Sequence, residues 1–94
     1  MSKAYTPRLL DVGQAIRIYY SCPELQNSDI RELFGNIASS TIAKLKNAVK
    51  DEQKARERPS FTLRGINTEI AFEVWGLNIA DLERRYSKLK KYQQ

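Results

Sequence analysis

The sequence predicts an all-α fold in which three helices form a core and a helical pair follows at the C-terminus. Apolar residues recur at spacings of three and four through most of the chain, which is the period of an amphipathic helix. Prolines, glycines and capping residues separate these stripes. The 94 residues suffice for one hydrophobic core. We therefore expect a helical domain over residues 1–58, followed by a connector and a helical extension over residues 59–94.

The first helix is predicted over residues 7–21. Thr6 suits the N-cap position, and Pro7 suits the first helical position because an N–H group there has no intrahelical acceptor. Pro23 ends the helix, and residues 22–27 then form a linker. The buried stripe of this helix is expected to contain Leu9, Val12, Ile16 and Tyr19.

The second and third helices are predicted on either side of Gly35. Asn27 or Ser28 can cap the second helix, and Gly35 follows its last apolar residue, where glycine adopts a left-handed conformation at least cost. The third helix begins at Ser39 or its neighbour and ends before Pro59, because proline disfavours helical geometry in the preceding residue. The apolar stripe of this pair comprises Ile30, Leu33, Phe34, Ile42, Leu45 and Val49.

The third helix is followed by a polar stretch. Residues 50–58 are mostly charged, so we expect that end of the helix to be solvated or to dock on a charged partner. Residues 59–67 are expected to form a connector. Whether residues 61–63 within it form a short strand is left undecided by the sequence. No second strand with a turn signal is visible, so the hairpin of a winged helix is not predicted.

Two further helices are predicted in the last third, separated by Gly76. Asn67 or Thr68 caps the fourth helix, and Asn78 caps the fifth. The fourth helix carries Ile70, Ala71, Val74 and Trp75. The fifth carries a heptad-like seam of Ile79, Leu82, Tyr86 and Leu89. A helix this short needs a partner, so we expect the C-terminal helices to pair in a homodimer.

The composition limits the chemistry and the compartment. Cys22 has no second cysteine for an internal disulfide, and the chain contains no histidine, so disulfide frameworks and the usual zinc sites are excluded. No apolar run approaches the roughly 20 residues that span a bilayer, and the N-terminus lacks the apolar core of a signal peptide. We expect a cytoplasmic protein with no membrane partner, no metal and no cofactor.

The charge balance favours a polyanionic partner over catalysis. Sixteen Lys and Arg against eleven Asp and Glu give a net charge of +5, which suits the neutralisation of phosphates. Without histidine, a cysteine pair or a glycine-rich phosphate loop, a general base would have to be a carboxylate, and only Glu73 has an apolar sequence setting. We expect a protein that is not an enzyme.

The segment from Asp29 to Lys46 combines an apolar face on two helices, a tight turn at Gly35, and short polar or basic residues at the start of the second helix. These are the requirements of a helix-turn-helix, whose second helix enters the DNA major groove. Small residues let the backbone approach the groove, while hydroxyl, amide and ammonium groups can bond phosphates or base edges. The predicted DNA-binding residues are Ser39, Ser40, Thr41, Ala43, Lys44, Lys46, Asn47 and Lys50.

Over residues 27–50 the chain resembles the helix-turn-helix superfamily of bacterial and phage DNA-binding proteins, and the first helix supplies the usual third helix. The chain departs from the family at two points. Arg31 stands where helix-turn-helix proteins commonly have a small residue, and the turn from Gly35 to Ile37 is one residue longer than the most compact turn of the family. The whole chain is similar to small regulators and terminase-like proteins of phages and mobile elements. The resemblance implies sequence-specific binding of double-stranded DNA, with transcription regulation as a role.

Two alternatives stay open. A helix, a glycine and another helix also describe a structural bundle, so the chain can be a helical protein-interaction or assembly module, such as a small terminase-like protein or adaptor, whose helix-turn-helix is a scaffold. Residues 68–92 also have the pattern of a second helix-turn-helix. Asp81 and Glu83 at its exposed start would repel phosphate, which favours a packing or pairing role.

Overall fold

The computed structural model describes residues 7–92, and in this range the chain forms five helices and one two-stranded antiparallel sheet. The predicted predominance of helix is confirmed. The helices are α1 (Val12–Ser21), α2 (Asn27–Phe34), α3 (Ser39–Ala55), α4 (Thr68–Val74) and α5 (Ile79–Tyr92). The strands are β1 (Glu24–Leu25) and β2 (Ile66–Asn67). None of the helices in the described range is both long and apolar enough to cross a membrane.

One cluster of buried apolar side chains joins all of these elements. Leu25, Ile30, Leu45 and Ile66 lie at its centre and are almost completely buried. Burial of each such side chain contributes about 1.5–3 kcal/mol relative to exposure. Trp75 also lies in this core, and its indole Nε1 donates a hydrogen bond of 3.2 Å to the carbonyl oxygen of Leu45. Residues on both sides of position 58 therefore contribute to the same core.

Helix α1 begins five residues later than predicted. Asp11 is the N-cap, and its carboxylate accepts a hydrogen bond of 2.9 Å from the amide of Gly13, which satisfies a free donor of the first turn. The preceding segment runs along α2 instead of continuing the helix, because the amide of Leu10 donates to the carbonyl oxygen of Leu33. Pro7 is buried outside the helix. The predicted cap, Thr6, lies outside the described residues.

Helices α2 and α3 lie on either side of Gly35, as predicted. Gly35 has a φ of 92°, a conformation that glycine adopts without strain. The cap of α2 is Gln26 instead of Asn27 or Ser28, because Gln26 and Asp29 form a reciprocal capping box in which the Gln26 amide donates to Asp29 at 2.8 Å. Helix α3 begins at Ser39, as predicted.

Helix α3 ends at Ala55, before the proline that was predicted to end it. The amide of Glu57 donates to the carbonyl oxygen of Lys54, and the amide of Arg58 donates to that of Gln53, which together form a Schellman motif. Glu57 accordingly has a positive φ of 55°. The helix therefore ends through its own backbone hydrogen bonds, and Pro59 lies beyond the motif.

The two-stranded sheet was not predicted. Leu25 of β1 pairs with Ile66 of β2, and Glu24 pairs with Asn67. The predicted linker at residues 22–27 therefore contains a strand, and the strand of the connector lies at its end instead of at residues 61–63. Strands of two residues are too short to show an alternating pattern in the sequence. In the structure, the joint burial of Leu25 and Ile66 stabilises their pairing.

Helices α4 and α5 have the predicted caps. The side chain of Asn67 accepts from the amide of Ile70 at 2.9 Å, and that of Asn78 accepts from the amide of Asp81 at 3.0 Å. Helix α5 packs against α1 of the same chain. Leu82, from the predicted pairing seam, is only 3% exposed.

Tyr86, from the same seam, also faces α1. A Cβ atom on Gly13 would lie 2.9 Å from the ring carbon Cε1 of Tyr86, so the absence of a side chain at Gly13 lets the ring lie against α1. Leu82 and Tyr86 of the seam thus pack within the chain.

Candidate nucleic-acid interface

The predicted DNA-binding residues all lie on α3. This helix buries Ile42, Leu45 and Val49, and it turns its other face away from the core. Thr41 and Lys46 are half-buried at the edge of that face. The exposed members of the set are Ser39, Ser40, Ala43, Lys44, Asn47 and Lys50.

The exposed residues form a continuous surface along α3. Ala43, Asn47, Lys50 and Lys54 follow one another at spacings of four, three and four, so they form one ridge on the outer side of the helix. Residues 39–50 span about 16 Å along the axis. Residues 39–47, with their small, amide and ammonium side chains, span about 12 Å and match the width of the major groove, and Lys50 then lies at the edge of the groove.

The N-terminal end of α3 adds free backbone donors to this surface. Its N-cap is Ala38, which forms no side-chain capping hydrogen bond. The first amides of an α-helix have no intrahelical acceptor, and they carry the positive end of the helix dipole. The amides of Ser39 and Ser40 therefore supplement the hydroxyl groups of the same residues in contacting an anion.

Lys46 differs from the other lysines of the predicted set. Its Nζ donates a hydrogen bond of 3.1 Å to Oδ1 of Asn27 at the start of α2. Partial burial lowers the pKa of Lys46, and the nearby positive charges of Lys50 and Arg64 lower it further. The Lys46 side chain thus links the middle of α3 to the start of α2.

The cations that follow the predicted set differ in their availability. Arg56 forms ion pairs of 2.7 Å with Glu52 and with Glu73, and these hydrogen bonds raise its pKa. Glu73, the acid with an apolar sequence setting, is exposed and takes part in this pair. By contrast, Lys50 and Lys54 form no ion pair with another of the described residues. Their charges therefore remain available to a polyanion.

Residues 56–65 form a structured loop that the sequence did not predict, which we call the α3–β2 loop. Its base is held by Gln53, a buried residue on α3. The side-chain amide of Gln53 donates 2.9 Å hydrogen bonds to the carbonyl oxygen of Arg58 and to the hydroxyl of Ser60. The side-chain oxygen of Gln53 accepts a 2.9 Å hydrogen bond from the amide of Asn67. One side chain therefore joins both ends of the loop to α3.

Gln53 shows that the end of α3 is not wholly solvated. The predicted stripe stops at Val49, but Gln53 follows it at a spacing of four and is only 4% exposed. That spacing was the signal in the sequence, and the polar character of the residue concealed it. A buried glutamine is tolerated here because all of its hydrogen-bonding groups have partners.

The tip of the α3–β2 loop is held by Glu24 of β1. The Glu24 carboxylate accepts hydrogen bonds from the amide of Phe61 at 2.6 Å, from the amide of Thr62 at 3.0 Å and from the Thr62 hydroxyl at 2.6 Å. Desolvation acts to raise the pKa of Glu24, but these hydrogen bonds outweigh it and hold the pKa below its usual value. A Cβ atom on Gly65 would lie 2.7 Å from Oε1 of Glu24, so the turn closes tightly on the carboxylate.

A groove of about 790 Å³ separates this loop from the C-terminal half of α3. Lys50, Lys54 and Arg58 line it together with Phe61 and Leu63 of the loop. The groove therefore lies beside the second half of the exposed ridge of α3, and it continues the positive surface of that helix.

The side chains with covalent or metal-binding chemistry form no second site in the described range. The Sγ atom of Cys22 lies 4.0 Å from Oδ1 of Asp29, and the thiol is half-buried. Burial raises the pKa of Cys22, and the charges of Asp29 and Glu32 raise it further, so the thiolate is disfavoured. Among residues 7–92, no three acidic or cysteine side chains come together as a metal site.

Comparison of the chain with family models, with curated proteins and with solved structures finds no match. The surface of α3 and its surroundings are therefore the features of the chain that indicate a function.

Proposed function

We propose that the chain binds double-stranded DNA sequence-specifically through the outer face of α3 at residues 39–50. The observation that carries this proposal is the arrangement of that face, on which small residues occupy the first turns and cations and an amide follow. Helix α3 follows α2 after the turn at Gly35, which is the order of a helix-turn-helix, and it packs mainly against α4 and β2. Its outer face is therefore held by the core from behind and is free to enter a groove.

Each part of the face has a distinct task in this proposal. Ser39 and Ser40 bond phosphates through their hydroxyls and backbone amides, which positions the helix. Ala43 leaves room for the backbone to approach the base edges. Lys44 reaches guanine acceptors or a phosphate, and the Asn47 amide pairs with adenine. Lys50 contacts the phosphate strand at the edge of the groove.

The resemblance to helix-turn-helix proteins extends the proposal to a role in transcription regulation, or in another DNA transaction of a phage or mobile element. Such proteins commonly bind as dimers to two half-sites. For this chain we propose a homodimer as well, and its surface must lie beyond the part of α5 that packs on α1.

The direct test is titration of a labelled mixed-sequence duplex at several salt concentrations. The informative variant is Lys44→Glu with Lys50→Glu, because both side chains are exposed and their replacement leaves the core intact. If both lysines contact phosphates, their loss reduces the slope of log affinity against log salt by about 2. Affinity should fall steeply at every salt concentration. Absence of binding by the unaltered protein at low salt would contradict the proposal.

A control variant separates a site on α3 from the effect of net charge. Arg17→Glu with Arg85→Glu changes the charge equally at exposed positions on α1 and α5. We expect this control to retain most of the affinity. An equal loss in both variants would show that total charge, and not α3, determines binding.

Sequence specificity requires its own measurement. Repeated selection from random duplexes should enrich one sequence, and an enriched palindrome would also indicate a two-fold symmetric dimer. Under the alternative of a protein-interaction module, selection enriches nothing and the Lys44→Glu, Lys50→Glu variant still assembles with its partner.

A further inference from the structure

The α3–β2 loop displays apolar side chains to solvent from a firmly held backbone. Phe61 is 92% exposed and Leu63 is 95% exposed. Glu24 and Gln53 hold the loop at its tip and at its base, so these side chains are not free to fold back onto the core. Large apolar side chains that are kept in water in this way indicate a binding surface.

The surroundings of this tip are cationic. Lys50, Lys54 and Arg58 line the groove beside it, and Glu57 is the acidic residue among the groove-lining residues of the described range. Arg64 is exposed on the loop itself. An apolar loop tip that is surrounded by positive charges fits a polyanion with an apolar interior. Duplex DNA has both properties, because its phosphates are charged and its stacked bases are apolar.

The position of the loop relative to α3 agrees with a DNA contact. If residues 39–47 occupy the major groove, Lys54 lies about 16 Å further along the helix than Ala43, which exceeds the groove width of about 12 Å. The last turns of α3 therefore cross the phosphate strand that borders the groove. The loop lies beside those turns, across the groove that Lys50 and Lys54 line, so a phosphate strand that crosses the end of α3 brings the neighbouring minor groove to the loop.

We infer that the α3–β2 loop is a second DNA contact, which inserts Phe61 and Leu63 into the minor groove and bends the duplex. The inference rests on the proposed function of α3. The phosphate strand lies in the groove between Lys50, Lys54 and the loop. Apolar side chains that enter the minor groove partly unstack a base step and kink the duplex by about 20–90°. Pyrimidine–purine steps yield most easily, so the loop favours them without reading their bases.

The test measures binding and bending on the same probe, a short mixed-sequence duplex at low salt. Energy transfer between dyes at its two ends reports the bend, and 2-aminopurine at a central pyrimidine–purine step reports unstacking. The variant is Phe61→Ser with Leu63→Ser, and both changes are at exposed positions, so thermal unfolding should match that of the unaltered protein. A matched control, Phe61→Leu with Leu63→Phe, exchanges the two side chains and keeps the tip apolar.

We expect the unaltered protein and the exchanged control to raise both signals. The serine variant should still bind, with affinity reduced about tenfold, and should raise neither signal. Its salt slope should be unchanged because no phosphate contact is lost. Equal bending by the serine variant, or no bending by the unaltered protein, would overturn the inference.

The failure of this inference differs from the failure of the proposed function. If the Lys44→Glu, Lys50→Glu variant loses binding while the serine variant keeps its affinity and bend, α3 binds DNA and the loop does not, which assigns the loop to a protein partner instead. If the unaltered protein does not bind the duplex at all, the proposed function itself is wrong.

Discussion

The backbone amide of Asn67 donates a 2.9 Å hydrogen bond to the side-chain oxygen of Gln53, which ties the start of α4 to the last turns of α3. Asn67 also caps α4. The same glutamine donates to Arg58 and Ser60. A polar residue in the core thereby holds together the proposed recognition helix, the α3–β2 loop and the C-terminal helices.

Replacement of Gln53 by leucine should destabilise the protein. The change removes the hydrogen bonds to the Asn67 amide and the Arg58 carbonyl in a partly buried setting, and each such bond contributes about 0.5–1.5 kcal/mol. We expect the free energy of unfolding, measured by urea denaturation, to fall by about 1–3 kcal/mol. Lys54→Leu, on the neighbouring exposed position, is the control and should change it by less than about 0.5 kcal/mol. A similar small change for Gln53→Leu would contradict the role of the hydrogen bonds.

The anchor at Glu24 should make stability depend on pH. Hydrogen bonds hold the pKa of Glu24 below its ordinary value of 4.5 in the folded chain. The stability that the Glu24 carboxylate contributes is therefore fully present at pH values above 4.5. The contribution is lost as the pH falls through the folded-state pKa. We expect the stability difference between the unaltered protein and Glu24→Gln to shrink as urea denaturation is repeated from pH 6 down to pH 3. A difference that stays constant over this range would show that the carboxylate charge is not involved.

The elements that the sequence predicts well are those with local causes. The turn at Gly35 and the start of α3 follow from a glycine, from capping and from apolar spacing within a few residues. The exposed face of α3 follows from the same periodicity. The homodimer, the DNA contacts and the domain division stay predictions.

The features that the sequence does not reveal have distant partners. Glu24 anchors Phe61 and Thr62 although 37 and 38 residues separate them along the chain. Two-residue strands leave no periodic pattern, and Lys46 meets Asn27 only once α2 and α3 have taken their mutual angle. Composition and spacing describe each segment, but such contacts arise from the packing of segments against one another.

The end of α3 offers a stabilising substitution. Glu57 adopts a positive φ of 55°, which costs an L-residue about 1–2 kcal/mol and glycine very little. We expect Glu57→Gly to raise the free energy of unfolding by about 1 kcal/mol. Glu57→Ala makes the same change in charge and keeps the backbone strain, so it should give no comparable gain. Equal stabilisation by both variants would assign the effect to charge.

The exposed end of α5 defines the homodimer test. Leu82 belongs to this chain's core, so an aspartate there would unfold the protein instead of reporting on pairing. Leu89 and Tyr92 are 49% and 91% exposed, and they are the apolar residues that this end of α5 offers to a second copy. Leu89→Asp with Tyr92→Asp should convert a dimer to a folded monomer in sedimentation, while Leu63→Asp on the loop should not. Lys88, Lys90 and Lys91 repel the same charges on a second copy, so salt should strengthen the dimer. A monomeric mass for the unaltered protein at high salt and high concentration would contradict pairing through α5.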